Sequence, residues 1–185
     1  MSKLAIFGGE PINPQKHVTW PIVTEEDKQA VMEVLDSRKL WGTNAPKTVE
    51  LEKKWAEYTG SKYVLSCNSG TAALHMAVAA AGIEPGDEVI TPSLTFVATQ
   101  MCVIQHNAIP VFVDVDPKTF NIDVSKIEEK ITPRTKAIIP VDLHGQPADY
   151  DEINEIARKH GLTVIADCAQ SHGAYYKGRK TGTLT

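Results

Sequence analysis

Cysteine is scarce in this sequence: only Cys67, Cys102 and Cys168 occur among 185 residues, and no two form a C-x-x-C pair. An odd number without that spacing argues against a disulfide framework or a zinc knuckle, and the expected role of all three is that of small buried hydrophobes. Long apolar runs are missing as well, so no segment reads as a membrane span. The apolar run within MSKLAIFGGEPI is too short for a secretory signal, and a cytoplasmic location is expected. Positive charge is not in excess, with 19 Lys and Arg against 23 Asp and Glu and a formal net charge of -4. No basic cluster or aromatic-basic stripe is present, which argues against a nucleic-acid partner. Two nucleotide fingerprints are absent too. There is no Gly-Lys-Ser/Thr of a P-loop and no G-x-G-x-x-G, and the strand-like EVITPS ends without an acid.

What is present, at 42% hydrophobic residues, suffices for a real core. Residues 1–23 look irregular, broken by Pro11, Pro14 and Pro21. Thr24 with Asp27 reads as an N-cap opening a helix through about Ser37. WGTNAP looks like a loop, and TVELEKKWAEYTG like a second helix stopped by Gly60. From Lys62 onward short β-rich runs alternate with helical ones. KYVLSC, EVITPS, IPVFVDVD, TKAIIPVDL and TVIADC are predicted strands, while TAALHMAVAAAG, TFVATQMCVIQHN, VSKIEEKI and YDEINEIARKHG are predicted helices. The strands are near-continuous apolar runs, as in parallel strands covered on both faces. The prediction is an α/β fold, a mostly parallel sheet flanked by helices, over 61–185, preceded by a lead-in of helices over 1–60. GRKTGTLT follows the last strand with no covering helix, so the fold reads as unfinished.

Two places are candidates for chemistry. CNSGTAAL brings Asn68, Ser69, Gly70 and Thr71 to a helix start, where unpartnered N–H groups and the helix dipole favour an anion. An ordinary N-cap fits the same residues. Asp167 lies at the carboxyl end of TVIAD, the edge of an α/β sheet where ligands bind. It needs a cation, water or a hydrogen-bonded ligand, or else it caps the following turn. In FVDVDPKTF, Asp114-x-Asp116 resembles an aspartyl phosphoryl-transfer motif, but Pro117, Lys118 and Thr119 give a turn instead. His144 near Asp142 and His172 near Asp167 lack metal-ligand spacing and read as polar loop residues, so no metal is expected.

Taken together, NSGTAAL, TPSLTFVAT, PVFVDVDP, ITPRTKAIIPVDLHGQPAD and VIADCAQSHGAYYKGR resemble the DegT/StrS family of sugar aminotransferases, pyridoxal 5'-phosphate enzymes of the aspartate-aminotransferase fold. The match is collinear from about Thr24 to the last residue. The resemblance implies that Gly70, Thr71 and Ala72 hold the cofactor phosphate and that Phe96, otherwise a core aromatic, stacks on the pyridine ring. It implies that Asp167 pairs with the protonated ring nitrogen and that Gln170 lies near the phenolic oxygen. The lysine that forms the Schiff base is expected beyond Thr185. Lys177 and Lys180 lie in a turn that precedes that segment in the family. The resemblance therefore implies the amino-terminal half of an enzyme that is a homodimer when full length. Such an enzyme moves an amino group from a glutamate-like donor to a keto-sugar or keto-cyclitol. A histidine in the lysine's place implies a sugar dehydratase, and neither residue an inactive binding or regulatory protein. Trp20 and Trp41 either line the substrate mouth or belong to a core.

Overall fold

A computed structural model describes residues 3–13, 20–42 and 45–185. Pro14 and the middle of the WGTNAP loop lie outside the described residues. The chain forms two compact units, Met1–Lys47 and Thr48–Thr185.

In the first unit, helix α1 (Glu25–Ser37) begins where the sequence predicts. The Asp27 N–H donates to Thr24 Oγ1, and the Thr24 N–H donates to Asp27 Oδ2 at 2.7 Å, so two otherwise orphaned donors are satisfied reciprocally. Trp20 and Trp41 are both exposed, which overturns a core role for either. Helix α2 (Pro46–Thr59), which from Thr48 onward belongs to the second unit, starts with proline at its first position, where no N–H is needed, and stops at Gly60, whose φ of 80° suits a residue without Cβ.

The second unit is a parallel sheet between two helical layers. Its elements are α3 (Gly70–Ala80), β1 (Glu88–Pro92), α4 (Ala98–Gln105), β2 (Ile109–Val113), β3 (Thr135–Ile138), α5 (Tyr150–His160) and β4 (Thr163–Val164), followed by the hairpin β5 (Tyr175–Tyr176) and β6 (Arg179–Lys180). The strand order is β2-β1-β3-β4, all pairs parallel. Alternation along each strand divides the core. Val89 and Ala137 pack with Leu74, Val78, Cys102 and Val103 of α3 and α4, whereas Ile90 and Ile138 pack with Tyr150, Ile153 and Ala157 of α5. Helix α5 carries Arg158, Lys159 and His160 in its last turn, opposite the dipole's negative end, and closes at Gly161 with φ 66°.

Three predicted elements differ. KYVLSC has no strand partner among the described residues; the Ser66 N–H donates instead to Glu52 Oε1 of α2 at 2.9 Å, and Tyr63 and Leu65 are 81% and 63% exposed. VSKIEEKI forms two single 3-10 turns, Val124–Lys126 and Glu128–Lys130, rather than an α-helix. Asp123 Oδ1 takes the Ser125 N–H and hydroxyl, and Pro133 follows closely, leaving too short a run to propagate a helix. TKAIIPVDL pairs only as far as Ile138, since Pro140 has no N–H to give the ladder; beyond it Val141 and Asp167 form a single parallel bridge. Cys102 is buried and Cys168 half-buried, but Cys67 is exposed, contrary to its expected role as a buried hydrophobe.

Candidate functional site

From β1 the chain moves to β2 on one side and then crosses back past β1 to β3 on the other, so the winding direction reverses beside β1, where ligands enter open α/β sheets. A cavity of about 180 Å³ opens there. Gly70 and Thr71 at the start of α3 form one wall, Thr95 and Phe96 after β1 another, and Val141, Asp167, Ala169 and Gln170 the third. Two larger hollows, of about 400 Å³ beside Trp41 and about 630 Å³ beside Ile6, are lined by exposed or half-buried residues and contain no buried polar group.

Ser69 determines which donors of α3 remain free. Its hydroxyl accepts from the Ala72 N–H at 3.1 Å, and its carbonyl accepts from the Ala73 N–H. The N–H groups of Gly70 and Thr71 have no acceptor among the described residues, and a Cβ on Gly70 would meet nothing within 4 Å. Ser69 is thus an N-cap for the Ala72 N–H, and the Gly70 and Thr71 N–H groups are left without a protein acceptor among the described residues. Ala72, expected beside Gly70 and Thr71, does not line the cavity, and its N–H is already bonded.

Asp167 is 7% exposed, and its two oxygens have different partners. Oδ1 accepts from the Ala169 N–H at 3.2 Å and caps the turn, while Oδ2 accepts from the Thr99 hydroxyl at 2.9 Å. Thr99 is in turn 3.0 Å from the Thr95 hydroxyl. Among the described residues Asp167 has no ion-pair partner, so a buried carboxylate faces the cavity without a compensating cation. Burial pushes the neighbouring Cys102 thiol up to about 11, and the charge of Asp167 adds to the shift.

Gln170 Oε1 accepts from the His144 N–H at 2.6 Å, which leaves the amide NH2 as the group it can donate. His144 reaches this position in the left-handed region, at φ 56°. Phe96 is 67% exposed on the cavity wall and is no core aromatic. Gly70, Thr71, Phe96, Asp167 and Gln170 thus converge on one space. Thr95 and Val141 also line it, and Thr99 supports Asp167 from outside the lining; none of the three was singled out from sequence. The only signal for the threonines was their i, i+4 spacing at a helix start.

The remaining candidates are elsewhere. Lys177 is paired with Asp151, and Lys180 donates to the Tyr58 carbonyl; neither lines the cavity. Asp116 accepts from the Lys118 and Thr119 N–H groups in a turn, as expected. His172 packs edge-on against Trp55. Among the described residues no three His, Cys, Asp or Glu side chains cluster as metal ligands, and no helix is long and apolar enough to cross a membrane.

Residues 21–185 match the DegT/DnrJ/EryC1/StrS aminotransferase family. The chain is 48% identical over 172 residues to GDP-perosamine synthase of Caulobacter vibrioides, covering 92% of this chain and 46% of that protein. It is 54% identical over 140 residues to UDP-2-acetamido-2-deoxy-3-oxo-D-glucuronate aminotransferase of Pseudomonas aeruginosa, covering 76% of this chain and 39% of that protein. A putative sugar aminotransferase of Streptococcus pneumoniae, solved in its PLP form, has a TM-score of 0.82 at 34% identity, covering 89% of this chain and 45% of that one. The chain spans less than half the length of each of these relatives.

Proposed function

The chain belongs to the DegT/DnrJ/EryC1/StrS aminotransferase family, and we propose that it grips pyridoxal 5'-phosphate for an enzyme that transfers an amino group from a glutamate-like donor to a keto-sugar, often nucleotide-linked, or a keto-cyclitol. One observation carries this reading. A single cavity has two free N–H donors at a helix's positive end on one wall and a buried carboxylate without a cation on another. That pairing of charges fits a molecule with a phosphate at one end and a protonated pyridine nitrogen at the other. Bound there, the cofactor supplies an electron-withdrawing ring that carries the amino group between donor and acceptor.

The chain's own residues have distinct tasks. Gly70 and Thr71 donate to the phosphate, and the missing Cβ of Gly70 lets the backbone approach it. Phe96 lies against the ring. Asp167 accepts from the ring N–H and keeps that nitrogen protonated, while Thr99 fixes the direction of its carboxylate. Gln170 donates its NH2 to the phenolic oxygen, its own oxygen being held by His144.

No lysine lines the cavity among the described residues, so this stretch alone binds the cofactor without turnover. The general base that moves the substrate proton comes from outside residues 1–185: a lysine in a transferase, a histidine in a dehydratase. In this reading the complete enzyme is a cytoplasmic homodimer. The exposed Leu94, Phe96 and Val97 beside the cavity support a mouth covered by a second copy.

Equilibrium binding of pyridoxamine 5'-phosphate and of phosphate-free pyridoxamine tests the reading. The phosphate ester binds about a hundredfold more tightly, roughly 2.7 kcal/mol, if α3 holds it. Equal affinities, or no binding of either, would overturn it.

A further inference from the structure

Asp142, which follows the Val141–Asp167 bridge, is fully buried, yet among the described residues it has no cationic partner. Its Oδ1 accepts from the Ala148 N–H at 3.0 Å and the Tyr150 hydroxyl at 2.8 Å, and its Oδ2 accepts from the Ser171 hydroxyl at 2.8 Å. Burying a carboxylate is costly even when its lone pairs are satisfied, and apolar packing would fill the same volume at less cost. The position of these donors gives the carboxylate a purpose, because they join the start of α5 to the far end of the segment that bears Asp167 and Gln170.

That segment is attached at both ends to the same residue. At its start the Asp142 N–H donates to the Asp167 carbonyl at 3.1 Å, while the Asp167 N–H donates to the Pro140 carbonyl at 2.9 Å. At its end Ser171 is held by the Asp142 carboxylate, by its own N–H to the Cys168 carbonyl and by the Thr181 hydroxyl on its carbonyl at 2.7 Å. Gln170, between the two, is held through His144, whose loop is fixed in turn by Asn121. The Asn121 amide donates to the carbonyls of Gln146 and Pro147 and accepts from the Leu143 N–H. Burial pushes the Cys168 thiol up to about 12, the charge of Asp142 contributing next.

We propose that Asp142 is a positioning residue: by holding the Asp167 carbonyl with its N–H and Ser171 with its carboxylate, it sets the spacing between the Asp167 carboxylate and the Gln170 amide across the cavity. This rests on the cofactor reading above. An amide at 142 can keep its oxygen for the Ala148 and Tyr150 donors only by turning its NH2 toward Ser171, whose hydroxyl then accepts instead of donating, so Asp142→Asn reverses that bond and removes its charge-assisted strength.

The test uses Asp142→Asn, Ser171→Ala, Asp167→Asn and the two double variants with Asp167→Asn, in the full chain. Each is titrated with pyridoxamine 5'-phosphate, and the pH dependence of the bound cofactor's absorbance is recorded. Asp142→Asn weakens binding about tenfold, and Ser171→Ala does so in the same direction by a few-fold. In both, the absorbance transition moves toward that of free cofactor. In the Asp167→Asn background neither substitution changes affinity by more than about twofold, because the group they position is already disabled. Should Asp142→Asn fail to fold, Ser171→Ala and its double variant give the same reading. Parental affinity in the single variants, an unmoved absorbance transition, or equal losses in both backgrounds overturns the positioning role alone. A parent chain that binds no pyridoxamine 5'-phosphate overturns both the role and the cofactor reading.

Discussion

Thr99 donates its hydroxyl to Asp167 at 2.9 Å, linking the start of α4 to the segment that follows β4 across 68 residues of sequence. The bond satisfies one lone pair of a buried carboxylate and aims the group into the cavity. Thr99→Val keeps the shape and removes the donor. Affinity for pyridoxamine 5'-phosphate is expected to fall about tenfold, roughly 1.4 kcal/mol, with secondary structure unchanged. Titration followed by cofactor fluorescence measures it, and parental affinity would show that Asp167 is oriented without Thr99.

Thiol reactivity separates the three cysteines. Cys67 is exposed, whereas burial pushes the Cys102 and Cys168 thiols up to about 11 and about 12. At pH 8 both are neutral thiols, and only the thiolate attacks a disulfide reagent. One equivalent per chain is expected to react quickly in the native protein and three after denaturation. Rapid native reaction of two or three would contradict the packing around α4 and the 167–171 turn.

Hydrogen exchange reads the unpaired KYVLSC run. Its amides lack strand partners, apart from Ser66 held by Glu52, while β1 lies hydrogen-bonded between β2 and β3. Amides 63–65 are expected to exchange on the order of a thousandfold faster than those of Val89 and Ile90. Comparable protection would mean that a strand partner is present.

How far the sequence was legible depended on whether the signal was local. The Thr24–Asp27 capping box, the Gly60 and Gly161 stops and the apolar β1 and β3 follow from short-range chemistry and were readable. Asp167 was readable as an acid at a strand's carboxyl end, and Gly70 with Thr71 as free donors at a helix start. KYVLSC was misread because an apolar run reports a demand for burial and not whether a partner strand is at hand. Thr99, His144 and Asp142 were missed as supports for Asp167 and Gln170, since their bonds join segments that only the folded sheet brings together. That the Ser69 hydroxyl takes the Ala72 N–H was not legible either, because which N–H groups a cap takes is geometric.

The pairing of Asp167 with a pyridine nitrogen is tested most directly by the ¹⁵N resonance of ring-labelled pyridoxamine 5'-phosphate bound to the parent chain and to Asp167→Asn. A carboxylate beside the ring favours its charged form, so in the parent the nitrogen stays protonated to higher pH than in free cofactor. In Asp167→Asn it loses its proton at lower pH than in the parent, while Gly70 and Thr71 still retain the phosphate. Identical resonances and titrations in the two proteins, with cofactor bound to both, would leave Asp167 a turn cap and contradict the assignment.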